Sequence, residues 1–479
     1  MTLSSDLNQK PNKGAQGMSK NLASKLLELC SAEVSHSDHS RACWHLLDWI
    51  GIAAAAAKKP AGILAIDYAK SIKTTHSGQC SVVGVGQSDA EMAAFVHGML
   101  GNVLEMDDLH RSSILHAGNV IIPTVLAAVE ETDCAPEVFT RAIVIGYEIA
   151  LRIGIAAAKG GYTNWYNSGT CSIFGATVAA AVIYDLDHEA MCGAFGNAGM
   201  QASGVWQCRL DPGYGKQMVC GHASRAAISA TRLAKIGFVG PARILEGELG
   251  FFKSFYPQSD FETLASVTSD PTSDGHRWHI HEVSFKPWPA CRHTHPVIEA
   301  ALVLRDQYNS HECDRITVTT YQAGADFCDN SSPINDSEAR FSFQHLVAFT
   351  LCNGKPSLTS CDQNMIQNHD IQALRKIIDV EVDRKLSAAF PNKISGSVTF
   401  HCKNGRTISH HVEHALGDPE NPLSKGELIA KFRANSAFAG VEDDVATLLI
   451  DTVFSLPDAK NLYEFTSAIR NFFDAIEPT

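Results

Sequence analysis

Ser172-Ile173-Phe174-Gly175-Ala176-Thr177-Val178-Ala179-Ala180-Ala181 decides the fold class. It belongs to a helical stretch predicted over about 172–184, rich in residues too small to hold two helices apart. Helices of this kind are buried and approach their neighbours closely. Comparable stretches recur at about 89–104, 119–131, 136–158, 188–206 and 220–236, with Ala53 to Ala57, Gly193, Gly196, Gly199 and Gly204 as further small residues. Ser40 to Ile50 carries apolar residues at spacings of three and four, again a helical period. Between Leu22 and Tyr256 there is almost no strand signal.

The character changes over Pro257 to Arg277, where Pro, Ser, Asp and Gly accumulate as in a linker or exposed loop. Beyond it strands and helices mix. Val283 to Lys286 is a strand candidate, Pro296 to Asp306 a helix opened by proline, and Asp314 to Tyr321 alternates with the period of a strand. Phe343 to Leu351 and Ile371 to Ile377 read as helices. Ser397–Cys402 and Thr407–Val412 flank Lys403-Asn404-Gly405-Arg406, and Asn-Gly between two alternating runs signals a hairpin. Helices return at about 424–434, 440–455 and 458–473. The expected fold is mainly α: a disordered lead over 1–20, a large all-helical domain over 21–268 and 415–479, and a smaller α+β domain over 269–414 inserted into it.

A length of 479 residues also favours two domains, because single cores rarely exceed ~250–300 residues. Lys plus Arg number 39 and Asp plus Glu 52, a formal charge of −13. That balance argues against a nucleic-acid partner and admits a small anion only where the site reverses the sign locally. The fourteen cysteines include no C-x-x-C pair, and the opening residues lack the basic-then-apolar pattern of a secretory signal. No apolar run reaches the ~20 residues of a membrane helix. The expectation is a cytoplasmic protein with free thiols and no membrane partner.

Three segments could carry chemistry. Leu104 to Asn119 holds Glu105, Asp107, Asp108 and His116 between two apolar helices. Crowded carboxylates beside a histidine suit acid/base work, and they equally suit a solvated loop. In Asp211 to Arg225, Lys216 follows a Gly-rich turn at the mouth of a helix and could bind a carboxylate, or simply face solvent. Phe285-Lys286-Pro287-Trp288-Pro289-Ala290-Cys291-Arg292-His293-Thr294-His295-Pro296 opens a helix whose free N–H groups can hold an anion. Cys291, His293 and His295 invite a zinc reading, but no fourth ligand lies at a useful spacing, so no metal is expected.

Together these segments resemble the MmgE/PrpD family of cis-aconitate decarboxylases, 2-methylcitrate dehydratases and iminodisuccinate epimerases. The resemblance runs over roughly 22–475. Its motifs are Glu105-Met106-Asp107-Asp108 with His116, Ser172-Ile173-Phe174-Gly175-Ala176, Lys216 with Gly221, the Phe285–Pro296 segment, Glu338-Ala339-Arg340-Phe341-Ser342-Phe343-Gln344, and Asp418-Pro419-Glu420-Asn421-Pro422-Leu423-Ser424. It implies a helical domain with an α+β lid domain, a homodimer, and no cofactor. It also implies an active-site acid at Glu105, a proton-transferring histidine at His116 and a carboxylate-binding lysine at Lys216. Trp165-Tyr166-Asn167-Ser168-Gly169 replaces the decarboxylases' catalytic histidine with Tyr166; Phe327 falls near a lid tyrosine, and Cys291 near another histidine.

The expected catalytic set is therefore His116, Glu105, Asp108, Tyr166 and Lys216, with Lys216, Cys291, Arg292 and His293 binding substrate. Loss of CO₂ or water beside a carboxylate needs a cation for the developing charge and a group to move one proton. The leading expectation is a cofactor-independent lyase, a decarboxylase or dehydratase, acting on a small di- or tricarboxylic acid. An epimerase or isomerase of a dicarboxylic imino or amino acid is the first alternative, and a non-catalytic binding protein the second.

Overall fold

The computed structural model describes residues 21–72, 78–211, 213–266, 277–308 and 312–476. The expected lead over 1–20 and much of the polar stretch before Arg277 lie outside them. The fold is mainly helical. Its helices of ten or more residues are α1 (His36–Ala56), α2 (Pro60–Ser71), α3 (Ala90–Leu100), α4 (Gly118–Val129), α5 (Pro136–Ala157), α6 (Ser172–Ile183), α7 (His188–Gly199), α8 (Gly215–Lys235), α9 (His295–Leu304), α10 (Phe343–Asn353), α11 (Lys425–Ala439), α12 (Asp443–Ser455) and α13 (Tyr463–Asp474).

Small residues do the packing expected of them. A Cβ at Gly175 on α6 would lie 2.1 Å from the Gly146 carbonyl of α5, and one at Gly221 on α8 would lie 2.4 Å from the Phe95 carbonyl of α3. The helices therefore touch backbone to backbone. Local signals set their starts: Ser35 and Asp38 form a capping box on α1, and Asp89 and Asp187 cap α3 and α7 through side-chain oxygens.

Two strands interrupt this region where none was expected: β1 (Cys80–Val82) and β2 (Gly86–Ser88) form a short antiparallel hairpin. Three residues per strand are too few for a period to show. The four-stranded sheet has the order β4-β3-β5-β6, with β3 (Cys313–Thr320), β4 (Ile378–Val382), β5 (Gly396–Cys402) and β6 (Thr407–Val412). The hairpin of β5 and β6 turns at Gly405, whose φ of 84° suits glycine. β4 runs parallel to β3 and follows a helix that ends at Arg375, two residues short of the predicted stretch. Val283–Lys286 forms no strand; Ser284 makes only a single bridge to Leu109.

Buried apolar residues form two large clusters. One gathers residues from Leu22 to Val283 and takes in Phe432 to Ile476 at the end of the chain. The other spans Cys291 to Ala415 and covers the sheet with α9 and α10. No single helix among the described residues is long and apolar enough to cross a membrane; α1 and α2 pass only as a pair bent by 87°.

Candidate active site

The loop between α3 and α4 carries most of the chemistry. Its backbone turns through positive φ at Glu105 (52°) and Ile114 (54°), a conformation that side chains with a Cβ seldom adopt. Strain of this kind persists where the surroundings over-determine it, as they do here. Lys286 Nζ donates to the Glu105 carbonyl at 3.0 Å, Lys431 Nζ to the Met106 carbonyl at 3.0 Å, and Arg340 Nη1 to the Leu104 carbonyl at 3.3 Å.

The carboxylate that meets His116 is that of Asp107, not Asp108. Asp107 Oδ2 lies 2.9 Å from His116 Nδ1 and accepts from Asn102 Nδ2 at 2.7 Å and from Asn119 Nδ2, while Lys286 Nζ stands 3.2 Å from Oδ1. Burial alone would raise the Asp107 carboxyl, but His116 and Lys286 outweigh it and hold it well below the usual range. His116 Nδ1 also faces the Asp108 carbonyl at 2.8 Å. Both neighbours only accept, so Nδ1 carries a proton and Nε2 is left for the cavity that His116 lines. Asp108 turns its carboxylate away from this site: it accepts from Tyr147 O–H at 2.5 Å and from the Gly118 N–H at 3.2 Å, and His45 Nδ1 lies 2.9 Å away. Two adjacent acidic residues cannot be told apart in a sequence, because a one-residue step reverses which way a loop side chain points.

Lys216, in the first turn of α8, forms an ion pair with Glu105. Burial disfavours its charge, yet Glu105 and Asp107 raise its pKa overall, so it stays cationic. Tyr166 is buried, stacks on Trp206 at 4.5 Å, and lies beside Lys216, whose Nζ is 5.7 Å from its ring centre. Burial, with Cys220 and Asp107 nearby, pushes its phenol well above the ordinary value. Lys216 alongside does not make Tyr166 a readier acid; it is a neutral donor or a wall of the cavity.

Cys291, Arg292 and His293 reach the same cavity from the other cluster. Arg292 pairs with Asp418 at 2.5 Å and donates to the Leu416 and Ala415 carbonyls, leaving only Nε without a partner. His293 is held between two phenols, with Nε2 3.1 Å from Tyr162 Oη and Nδ1 bonded to Tyr321 Oη. Burial, then the charges of Arg209, Lys286 and His116, push His293 down to about 3. His295 turns aside to the Ala290 carbonyl. Among the described residues, His414, Asp418 and Glu420 alone group three metal-binding atoms, but Arg292 and Arg111 already pair with those acids. That set does not fit a cation.

The cavity is about 60 Å³, room for a few waters. Trp206, Phe327 and Phe341 divide it from an outer cleft of about 640 Å³, and Glu105 and Lys216 border both. Lys286, Tyr162 and Arg111 also line it and stand outside the expected site set. Lys286 stood in a quoted motif, but a lysine is not expected to be fully buried; its pairing with Asp107 is a tertiary contact.

Comparison with known proteins adds relatives to this geometry. The chain is 24% identical over 399 residues to cis-aconitate decarboxylase of Mus musculus, covering 79% of this chain and 78% of that protein. It is 23% identical over 422 residues to cis-aconitate decarboxylase of Aspergillus terreus, covering 82% and 84%. It is 24% identical over 277 residues to 2-methylcitrate dehydratase of Escherichia coli K12, covering 54% and 56%. Residues 20–264 match the MmgE/PrpD N-terminal domain and residues 288–454 the C-terminal domain, so this chain belongs to the MmgE/PrpD family.

Proposed function

We propose that the protein is a cofactor-independent lyase, a decarboxylase or dehydratase, acting on a small di- or tricarboxylic acid related to cis-aconitate or 2-methylcitrate. One observation carries the reading: His116, backed by Asp107, and the lysines Lys216 and Lys286 line one cavity. Lys216 exchanges Glu105 for a substrate carboxylate, and Lys286 supports the charge that develops beside it. In decarboxylation the C–C electron pair stays on carbon as CO₂ leaves, and protonated His116 returns a proton through Nε2. In dehydration neutral His116 removes the proton next to the carboxylate, and hydroxide leaves with a proton from a donor on the opposite wall. Asp107 stabilises the imidazolium in either direction.

The cavity is smaller than a six-carbon acid, so this reading needs Trp206, Phe327 and Phe341 to move for substrate to enter from the outer cleft. We assign the motion of Phe327 and Phe341 to the domain over 269–414 acting as a lid on the helical domain, which carries Trp206. The same reading makes the protein a cytoplasmic homodimer, for which Leu210, Ile236, Phe238 and Leu249 offer exposed apolar surface.

The test is incubation of the pure protein with cis-aconitate and with 2-methylcitrate, followed by proton NMR. Loss of CO₂ or water supports the proposal. Solvent deuterium entering beside the carboxylate without either loss gives the epimerase or isomerase, and thermal stabilisation without turnover gives the binding protein; both overturn it.

A further inference from the structure

His293 has a phenol on each ring nitrogen, and that arrangement fixes the direction of every proton in the chain Tyr321–His293–Tyr162. The imidazole is neutral, so one nitrogen donates and the other accepts. Two patterns satisfy this. In the first, Tyr162 donates to Nε2 and Nδ1–H donates to Tyr321, which leaves the Tyr321 O–H without an acceptor. Tyr321 is fully buried, stacked 4.9 Å from Phe390, and among the described residues its hydroxyl has no partner other than His293. A buried donor left unpaired is the costly outcome. In the second, Tyr321 donates to Nδ1 and Nε2–H donates to the Tyr162 oxygen. The O–H left over is then that of Tyr162, which lines the cavity and has no other partner among the described residues.

We infer that Tyr162 binds substrate as a hydrogen-bond donor, its proton aimed into the cavity by Tyr321 and His293, and that its ligand is a carboxylate or enolate oxygen. His293, expected to bind substrate, is a positioning residue, and so is Tyr321. Successive donors polarise one another, which strengthens the last bond of the chain. Tyr162 also packs at 4.7 Å on Phe327, one of the residues between cavity and cleft, so its donor sits where substrate enters. The choice of ligand rests on the function proposed above; the direction of the chain does not.

Nitrogen-15 NMR of histidine-labelled protein tests the direction, with the His293 signals identified by their loss in His293→Gln. A neutral ring protonated at Nε2 is expected, and protonation at Nδ1 overturns the inference. Titration calorimetry with cis-aconitate tests the role: Tyr162→Phe weakens binding by about 10- to 100-fold, as for a hydrogen bond to a charged group, in protein whose circular dichroism shows the fold kept, while the denaturation midpoint falls because a buried donor of the chain loses its acceptor. Wild-type affinity and turnover in Tyr162→Phe overturn the role and leave the lyase standing. If the wild-type protein binds neither cis-aconitate nor 2-methylcitrate, the lyase reading fails, and the His293 spectrum alone decides the inference.

Discussion

Replacing Glu148 with Gln isolates one buried charge that clamps the approach to the site. Glu148 lies fully buried on α5 and accepts from the His279 N–H at 2.8 Å, with His279 Nδ1 at 2.9 Å and Arg152 Nε at 2.5 Å. It thereby holds the chain that next bridges Ser284 to Leu109 and delivers Lys286. Burial would raise this carboxyl, but the His279 hydrogen bond and charge, with Arg152, lower it from 4.5 to about 2. At about 1.4 kcal/mol per pH unit that difference amounts to about 3 kcal/mol at neutral pH. The folded value lies below the unfolded one, so the contribution is complete above about pH 4.5 and is lost as pH falls toward 2; about 1 kcal/mol remains at pH 3. His279 titrates the other way: burial lowers it, Glu148 more than compensates, and its share is lost as pH rises through its elevated value. Gln keeps the shape and still accepts the backbone N–H, so charge is what changes. Thermal denaturation at neutral pH is expected to fall by roughly 3–5 °C, with the gap narrowing by more than half at pH 3. A gap of the same size at both pH values would refute the electrostatic account and leave a packing defect in its place.

Asp107→Asn is expected to lower kcat about 100- to 1,000-fold with KM nearly unchanged, measured by initial rates on the substrate found by NMR. The loss stays below the ~10⁴ of an orienting Asp in a serine protease because the Asp108 carbonyl still fixes the His116 tautomer; an unchanged kcat would remove His116 from the proton path. Lys216→Ala is expected to raise KM about 10- to 100-fold, as for a lost charged hydrogen bond, and wild-type KM would place the carboxylate elsewhere. Gly175→Ala is expected to cost about 1–3 kcal/mol in urea denaturation, because its methyl would press on the Gly146 carbonyl. No change in midpoint would mean that α5 and α6 are not in backbone contact there.

The helices were legible because their signal is local. Gly175, Gly196 and Gly221 announce close packing, and each lies where a Cβ would strike neighbouring backbone. The β5–β6 hairpin was legible for the same reason, since Asn404-Gly405 dictates the turn. β4 was not: Ile378 to Val382 becomes a strand only by pairing with β3, some 60 residues earlier in the chain. At the site, Glu105, His116 and Lys216 were singled out and do share the cavity. Asp107 and Lys286 were quoted but given no role, because a buried lysine between two carboxylates exists only once Val283–Trp288 crosses the loop before α4. Tyr162 carried no signal at all; its part follows from His293 and Tyr321, residues more than a hundred positions away.

The proposed polycarboxylate substrate has to bind a chain of formal charge −13, and the charges around the cavity decide on what terms. Exposed charge acts at a distance only until salt screens it, within ~8 Å at physiological ionic strength. Inside that range Arg111, Lys216, Lys286 and Arg292 face the cavity, with Glu105 as the carboxylate among its lining residues. Each cation already has a carboxylate partner: Glu420, Glu105, Asp107 and Asp418 respectively. The partners differ in where they stand. Asp107 and Asp418 lie outside the lining and cannot be displaced without unpairing a buried charge, whereas Glu105 faces the cavity beside Lys216. Glu105 is thus the anion a substrate carboxylate can replace, and its backbone, held at a φ of 52°, is already in tension at that point. A ligand that takes over Lys216 leaves Glu105 with Lys286 at 3.8 Å, so the exchange needs no bare charge at any stage. Under the proposed function an acidic protein accepts an acidic guest on these terms, because the guest's carboxylate stands in for one the site already holds.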